Sequence, residues 1–284
     1  MSISQSHEVL GALAAAEAER PDLAELLAFY RDLYSLQIAA AQELPPPAEP
    51  DRGSVQRRAA AGLPQVGFEE LALAPDRFRA LAERVLEVLA RHGAGPERPP
   101  PLGSGAELVH RARLLFETRP TLTAPDPRQS DDLDSESGVN PAIDQAIAFA
   151  LGAHLQHAAQ SILPLLGGTP WGRPICPICG GEPNLALLEA ERGARRLVCS
   201  RCDSQWGYTR VGCPFCQSQE RQTYFVGPGG LYRLYTCPTC RRYLKTVDLR
   251  EAGRPVEPVV ERLLSVHMDL AARQQGYRAQ ALIE

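Results

Sequence analysis

Residues 176–240 read CPICGGEPNLALLEAERGARRLVCSRCDSQWGYTRVGCPFCQSQERQTYFVGPGGLYRLYTCPTC, and the spacing of cysteine in this stretch decides the fold. All eight cysteines of the chain lie here, in four C-x-x-C pairs: Cys176/Cys179, Cys199/Cys202, Cys213/Cys216 and Cys237/Cys240. Nineteen residues separate the first pair from the second, twenty separate the third from the fourth, and ten lie between the second and third. Two residues between cysteines make a tight knuckle that aims both thiolates at one ion. The longer insert is enough for a hairpin that brings a second knuckle opposite the first and completes a tetrahedron. The expectation is two consecutive tetrathiolate sites, Cys176, Cys179, Cys199 and Cys202 for one and Cys213, Cys216, Cys237 and Cys240 for the other. A cross-brace of the first knuckle with the third is the rival arrangement.

Around the knuckles, short runs rich in β-branched and aromatic residues predict strands at 185–188, 196–199, 206–211, 223–226, 231–235 and 243–248. CPIC aligns with CPFC, and LVCSRC with LYTCPTC, as in an internally duplicated ribbon. Gly180 suits the positive φ with which a knuckle commonly ends, whereas Asp203, Gln217 and Arg241 stand at the other three ends.

Outward from the ribbons the periodicity becomes helical. Apolar residues recur on one face from Asp22 to Gln42, until the proline run at 45–50 stops the helix. Further helices are predicted over 76–91 and 106–117, with loops at 93–105 and 123–138. Asn140–Pro141 starts another helix, since asparagine caps free amides and proline at the first position loses no hydrogen bond. A last helix follows from the spacing of Val259, Val260, Leu263, Leu264, His267, Leu270 and Ala271. The reading is an α+β chain: a helical domain over 1–168, metal ribbons over 169–211 and 212–250, and a C-terminal helix within 251–284 docking on the helical domain.

Composition narrows the function. The chain has 284 residues, 44% of them hydrophobic and 23% charged, as soluble globular proteins do. No secretory leader, twin-arginine start or membrane-length apolar run is visible, so a cytoplasmic, reducing location is expected, where thiols bind metal rather than pair as disulfides. The net charge of −4 hides a basic segment, because residues 171–250 carry twelve Lys and Arg against six Asp and Glu. Thiolates holding divalent ions are net anionic, so this excess reads as compensation for the clusters and argues against nucleic acid.

A closed four-sulfur site leaves no position for substrate, and its binding energy of roughly 10–16 kcal/mol goes into folding small ribbons. Tetrahedral sulfur suits zinc or a single rubredoxin-like iron, and spacing does not choose between them. His154 and His157 share a helix face without a carboxylate partner and read as a packed or solvated pair. No nucleophile elbow, P-loop or dinucleotide fingerprint is present, and an enzyme is not expected. Trp206 and Tyr243 follow their knuckles closely and read plainly as ribbon core; with Arg210 and Lys245, also just beyond knuckles, they are the candidates for contact with a partner.

Cys199, Cys202, Trp206, Arg210, Cys213 and Cys216, followed by Cys237, Cys240, Tyr243, Leu244, Lys245 and Asp248, resemble the motif pattern of the formate dehydrogenase accessory protein family, FdhE. NPAIDQAIAFALGAHLQHAA (140–159) and SVHMDLAARQQGYRAQ (265–280), with Asp269, Gly276 and Tyr277, are similar to that family's flanking helices. The resemblance covers residues 140–280. It implies a cytoplasmic maturation factor with two rubredoxin-like sites that hold iron, associating with the catalytic subunit of formate dehydrogenase before export. A zinc-ribbon nucleic-acid-binding protein and a rubredoxin-like electron carrier are the alternatives.

Overall fold

The computed structural model describes residues 3–45, 50–96, 98, 100–118, 140–167, 171–220 and 222–279. The expected loop over 123–138 lies outside them. By contact the chain divides into two compact units, one of residues 1–48 and 66–158, the other of 49–65 and 159–284.

The first unit is helical: α1 (Ile3–Glu19), α2 (Ala24–Glu43), α4 (Pro75–Arg91), α5 (Gly105–Thr118) and most of α6 (Pro141–Ile162). Helix α4 shows why the pattern was legible. Pro75 opens it, and Phe78, Leu81, Ala82, Val85, Leu86, Val88 and Leu89 are buried at helical spacing. Asn140 caps α6 as its sequence implies, its Oδ1 accepting from Ala142 N–H at 3.0 Å and Ile143 N–H at 3.4 Å. Gln37, buried on α2, donates to the Phe149 carbonyl at 2.7 Å and ties α2 to α6.

Helices α1 and α3 (Arg52–Ala60) were not anticipated. Helix α3 buries only Val55 and Ala59, too few apolar residues for a periodic signal. Its start was nevertheless written in Asp51, which accepts from Ser54 N–H at 2.7 Å. It belongs to the second unit, packing on the short 3-10 turn Leu163–Leu166.

The second unit holds a six-stranded sheet: β1 (Pro183–Leu188), β2 (Arg195–Cys199), β3 (Gln205–Tyr208), β4 (Thr223–Val226), β5 (Tyr232–Thr236) and β6 (Tyr243–Asp248), in the order β3-β2-β1-β6-β5-β4. All six lie close to the runs the sequence marked. The two ribbons are antiparallel within themselves and joined by one parallel pair, Leu185 opposite Lys245 through Leu188 opposite Asp248. The duplication extends to register. Arg195 stands opposite Tyr208 in the first ribbon, as Arg233 stands opposite Thr246 in the second. The ribbons therefore meet head to tail, and β4 is left as an edge although β1, its counterpart, is covered by β6.

The C-terminal helical run breaks at Ser265 into α7 (Pro258–Leu264) and α8 (Val266–Gln274). Ser265 Oγ donates to the Glu261 carbonyl at 2.7 Å, a local bond that competes with helix continuation. The sequence reading docked this run on the helical domain. The contacts described here lie on the sheet, with α7 against β1 and α8 against β6. The sheet's alternation supplies the apolar face: Leu185, Leu187, Val198 and Val247 form one core, and Leu234 and Tyr243 join Met268 and Ala272 in another.

Candidate metal centres

Each knuckle is a short turn whose amides point inward. Gly180, Gln217 and Arg241 N–H each donate to the carbonyl of the knuckle's first cysteine at 3.0 Å. The residue ending each knuckle has positive φ: Gly180 at 69°, Asp203 at 57°, Gln217 at 59° and Arg241 at 56°. The three non-glycine residues accept a conformation costing roughly 1 kcal/mol or more each, which shows how firmly the turn is imposed. Backbone N–H groups of Ile178, Arg201 and Phe215 lie 3.4 Å from the sulfurs of Cys176, Cys199 and Cys213, the polarity that suits thiolate.

The sulfurs gather consecutively, not as a cross-brace. Cys176, Cys179, Cys199 and Cys202 form one cluster and Cys213, Cys216, Cys237 and Cys240 the other, with the ligand atoms of each within 4.8 Å of one another. In the first, Cys176 to Cys202 is 3.6 Å, Cys179 to Cys199 is 3.5 Å and Cys179 to Cys202 is 3.6 Å. In the second, Cys213 to Cys240 and Cys216 to Cys237 are both 3.7 Å. A tetrahedron of sulfurs about 2.3 Å from a central ion has edges of about 3.8 Å, and a disulfide would need about 2.05 Å. The donor set thus fits two four-coordinate ions.

The clusters differ in exposure. All four cysteines of the first are buried, whereas in the second Cys213 and Cys237 are buried, Cys240 is half-buried and Cys216 is exposed. Burial pushes the Cys176 and Cys202 thiols well up, and raises Cys213 to about 11. A cation among these sulfurs would supply the charge that burial otherwise denies them. Gly181 shows how tightly the first cluster is packed. A Cβ there would lie 3.2 Å from Cys199 Sγ and 2.9 Å from Arg201 Cδ.

The four candidate contact residues separate sharply. Trp206 is buried and donates through Nε1 to the Arg173 carbonyl at 2.9 Å. Tyr243 and Lys245 are buried and share Asp269, which accepts from Tyr243 OH and Lys245 Nζ at 2.7 Å each. These three side chains hold the unit together and do not offer surface, which corrects their candidacy for a contact face and, for Trp206 and Tyr243, agrees with the ribbon-core alternative. Only Arg210 is exposed; its guanidinium lies with that of Arg250 over the β1–β2 turn at Gly193.

Part of the local basic excess meets carboxylates: Arg242 meets Glu182 at 2.7 Å, Lys245 meets Asp269 at 2.7 Å, and Arg233 and Arg250 both meet Asp248. What the sequence reading missed is the exposure of β4, where Tyr224, Phe225 and Val226 are about half exposed in succession. Its signal was present, since the strand carries neither charge nor proline to guard an edge.

In the helical unit His154 packs against the Phe78 ring, 5.8 Å between centroids, and His157 Nε2 lies 2.9 Å from the Pro45 carbonyl. Among the described residues no helix is long and apolar enough to cross a membrane.

Comparison with known proteins finds likeness both in sequence and in fold. The family model described as FdhE, central domain, matches residues 175–210. A protein of Aquifex aeolicus named Protein FdhE homolog is 37% identical over 113 residues, 38% of this chain and 40% of that protein. One of the same name from Pseudomonas aeruginosa is 30% identical over 155 residues, half of each chain. The matches thus span half or less of these relatives' length. The fold is that of the crystal structure of the FdhE protein from Pseudomonas aeruginosa, with a TM-score of 0.63 and 20% identity, covering 98% of this chain and 93% of that one.

Proposed function

We infer that this chain, FdhE-like in its central segment and in its fold, is a cytoplasmic accessory protein for the maturation of formate dehydrogenase. It acts by binding that enzyme's catalytic subunit and not by catalysis. The observation that carries the reading is the pair of four-sulfur clusters built into one continuous sheet. The eight cysteines would hold two ions, with rubredoxin-like iron favoured by the resemblance and zinc the alternative. A bound ion supplies cross-linking, and in the case of iron a one-electron couple. The chain's own residues orient the sulfurs, cover the first cluster and present a rigid surface.

That surface is drawn from what remains exposed, namely Arg210 and the edge strand β4. A strand whose outer edge joins no further strand among the described residues, with Tyr224 on one face and Phe225 on the other, suits an extended segment of a partner. The division into a helical domain, two ribbons and a C-terminal helical part stands within this reading. The test is an anaerobic pull-down of the catalytic subunit with metal analysis of the eluate. Phe225→Lys and Arg210→Ala should each keep both ions yet weaken capture by about tenfold. Undiminished capture by both variants would remove the proposed face. Failure of the unaltered chain to retain the subunit would remove the function.

A further inference from the structure

The two clusters are built on one repeated ribbon pattern yet end in different surroundings. The first knuckle is sealed along residues 176–181, every one buried. Gln65 N–H donates to the Pro177 carbonyl at 2.9 Å, and the Arg201 side chain lies against Gly181. The matching knuckle of the second ribbon is covered less completely, with the Arg242 guanidinium over the Phe215 ring at 3.7 Å from its centroid. Phe215 is half-buried, Cys216 and Gln217 are exposed, and Val211 just before it is 66% exposed. Exposure is full at the Cys216 corner of the tetrahedron and partial at Cys240, whereas Cys213 and Cys237 remain buried at 1% and 2%.

We propose that the second tetrathiolate is a ligand-exchange site, entered by an external thiol at Cys216, while the first is closed. The inference rests on the metal reading of both clusters. An incoming thiol gives up its proton as its sulfur takes a place on the ion, and the Cys216 sulfur leaves and takes up a proton. One metal–sulfur bond forms, one breaks, and no electrons are transferred. Cys213 and Cys237 keep the ion during the exchange, since their burial denies an outside thiol any approach. Cys213 also receives the Phe215 N–H at 3.4 Å. The ligand class is a small or protein-borne thiol. The consequence is that one of two ions can be handed over, or held jointly with a partner, without unfolding the chain.

The test uses the zinc-loaded full chain, with zinc content measured first. Release to a chromophoric chelator should be biphasic, with half of the zinc leaving in a fast phase whose rate rises with glutathione concentration. Peptide mass spectrometry after brief iodoacetamide treatment should find Cys216 alkylated at least about tenfold faster than Cys176, Cys179, Cys199 or Cys202. This labelling needs no substitution, so it stands even where Cys213→Ser, expected to abolish the fast phase, perturbs folding. Release of both ions at one rate, or first labelling in the first cluster, overturns the exchange site alone. A chain that takes up neither zinc nor iron overturns the metal reading of both clusters.

Discussion

At the scale of single residues, three positions make sharp predictions. Gly181 touches the first cluster, so Gly181→Ala should push Cys199 Sγ out of place. Metal content should then fall from two ions toward one, with the second cluster unaffected. Gln217 is exposed and held at φ 59°, where glycine pays no steric penalty. Gln217→Gly should therefore stabilise the chain by roughly 0.5 kcal/mol in denaturant titrations, the gain in φ freedom being partly offset by unfolded-state entropy. His154 is buried, and burial first, with His157 second, brings its pKa down to about 4. A folded pKa below the unfolded one means the folded state resists protonation. Stability is then complete above about pH 6.5 and falls as pH drops toward 4, by about 3 kcal/mol in all. His154→Leu should flatten that part of the pH dependence in thermal or urea denaturation.

At the scale of elements, the sheet and its two covering helices are joined by buried charge. Lys245 on β6 donates to Asp269 at 2.7 Å and to the Arg262 carbonyl at 2.8 Å, while Tyr243 reaches the same carboxylate. Removing one partner of such a pair strands the other in a poorly solvated place, at a cost of about 3 kcal/mol. Lys245→Ala should therefore destabilise the second unit and leave both ions bound. Adding Asp269→Asn to it should cost less than the two changes made separately. Glu261 on α7 is a second tie, fully buried and accepting from Tyr232 OH and Arg254 Nη1 at 2.6 Å each. These bonds orient α7 and α8 on the sheet, where apolar contact alone would permit sliding.

At the scale of the whole molecule, the units draw stability from different sources. The first has helices with their own apolar faces, among them the seven buried residues of α4. The second gathers eight sulfurs, six of them on buried cysteines, at places that side chains would otherwise pack. Chelation should therefore melt the sheet and leave most far-UV helical signal in place. The residual loss of helix should correspond to α3, α7 and α8, which belong with the sheet. Loss of all helical signal on chelation would show that the first unit does not stand alone.

The sequence by itself determined the knuckles, their consecutive grouping, the six strands and the helices with broad apolar stripes, because each depends on spacing within about thirty residues. Hairpin length brings Cys176 to Cys202, and proline and asparagine set helix starts. Helix α3 escaped because it buries only Val55 and Ala59. Tertiary structure alone decided the rest. The parallel pairing of β1 with β6 turned two ribbons into one sheet and left β4 open. The turn of Trp206, Tyr243 and Lys245 into the interior was set by Arg173 and Asp269, far away in the chain. The sealing of one cluster and the opening of the other followed from cover by Gln65 and by the Arg201 side chain, contacts that no C-x-x-C spacing encodes. Ligand spacing is a local property of the chain, whereas burial depends on whatever the rest of the chain lays over it.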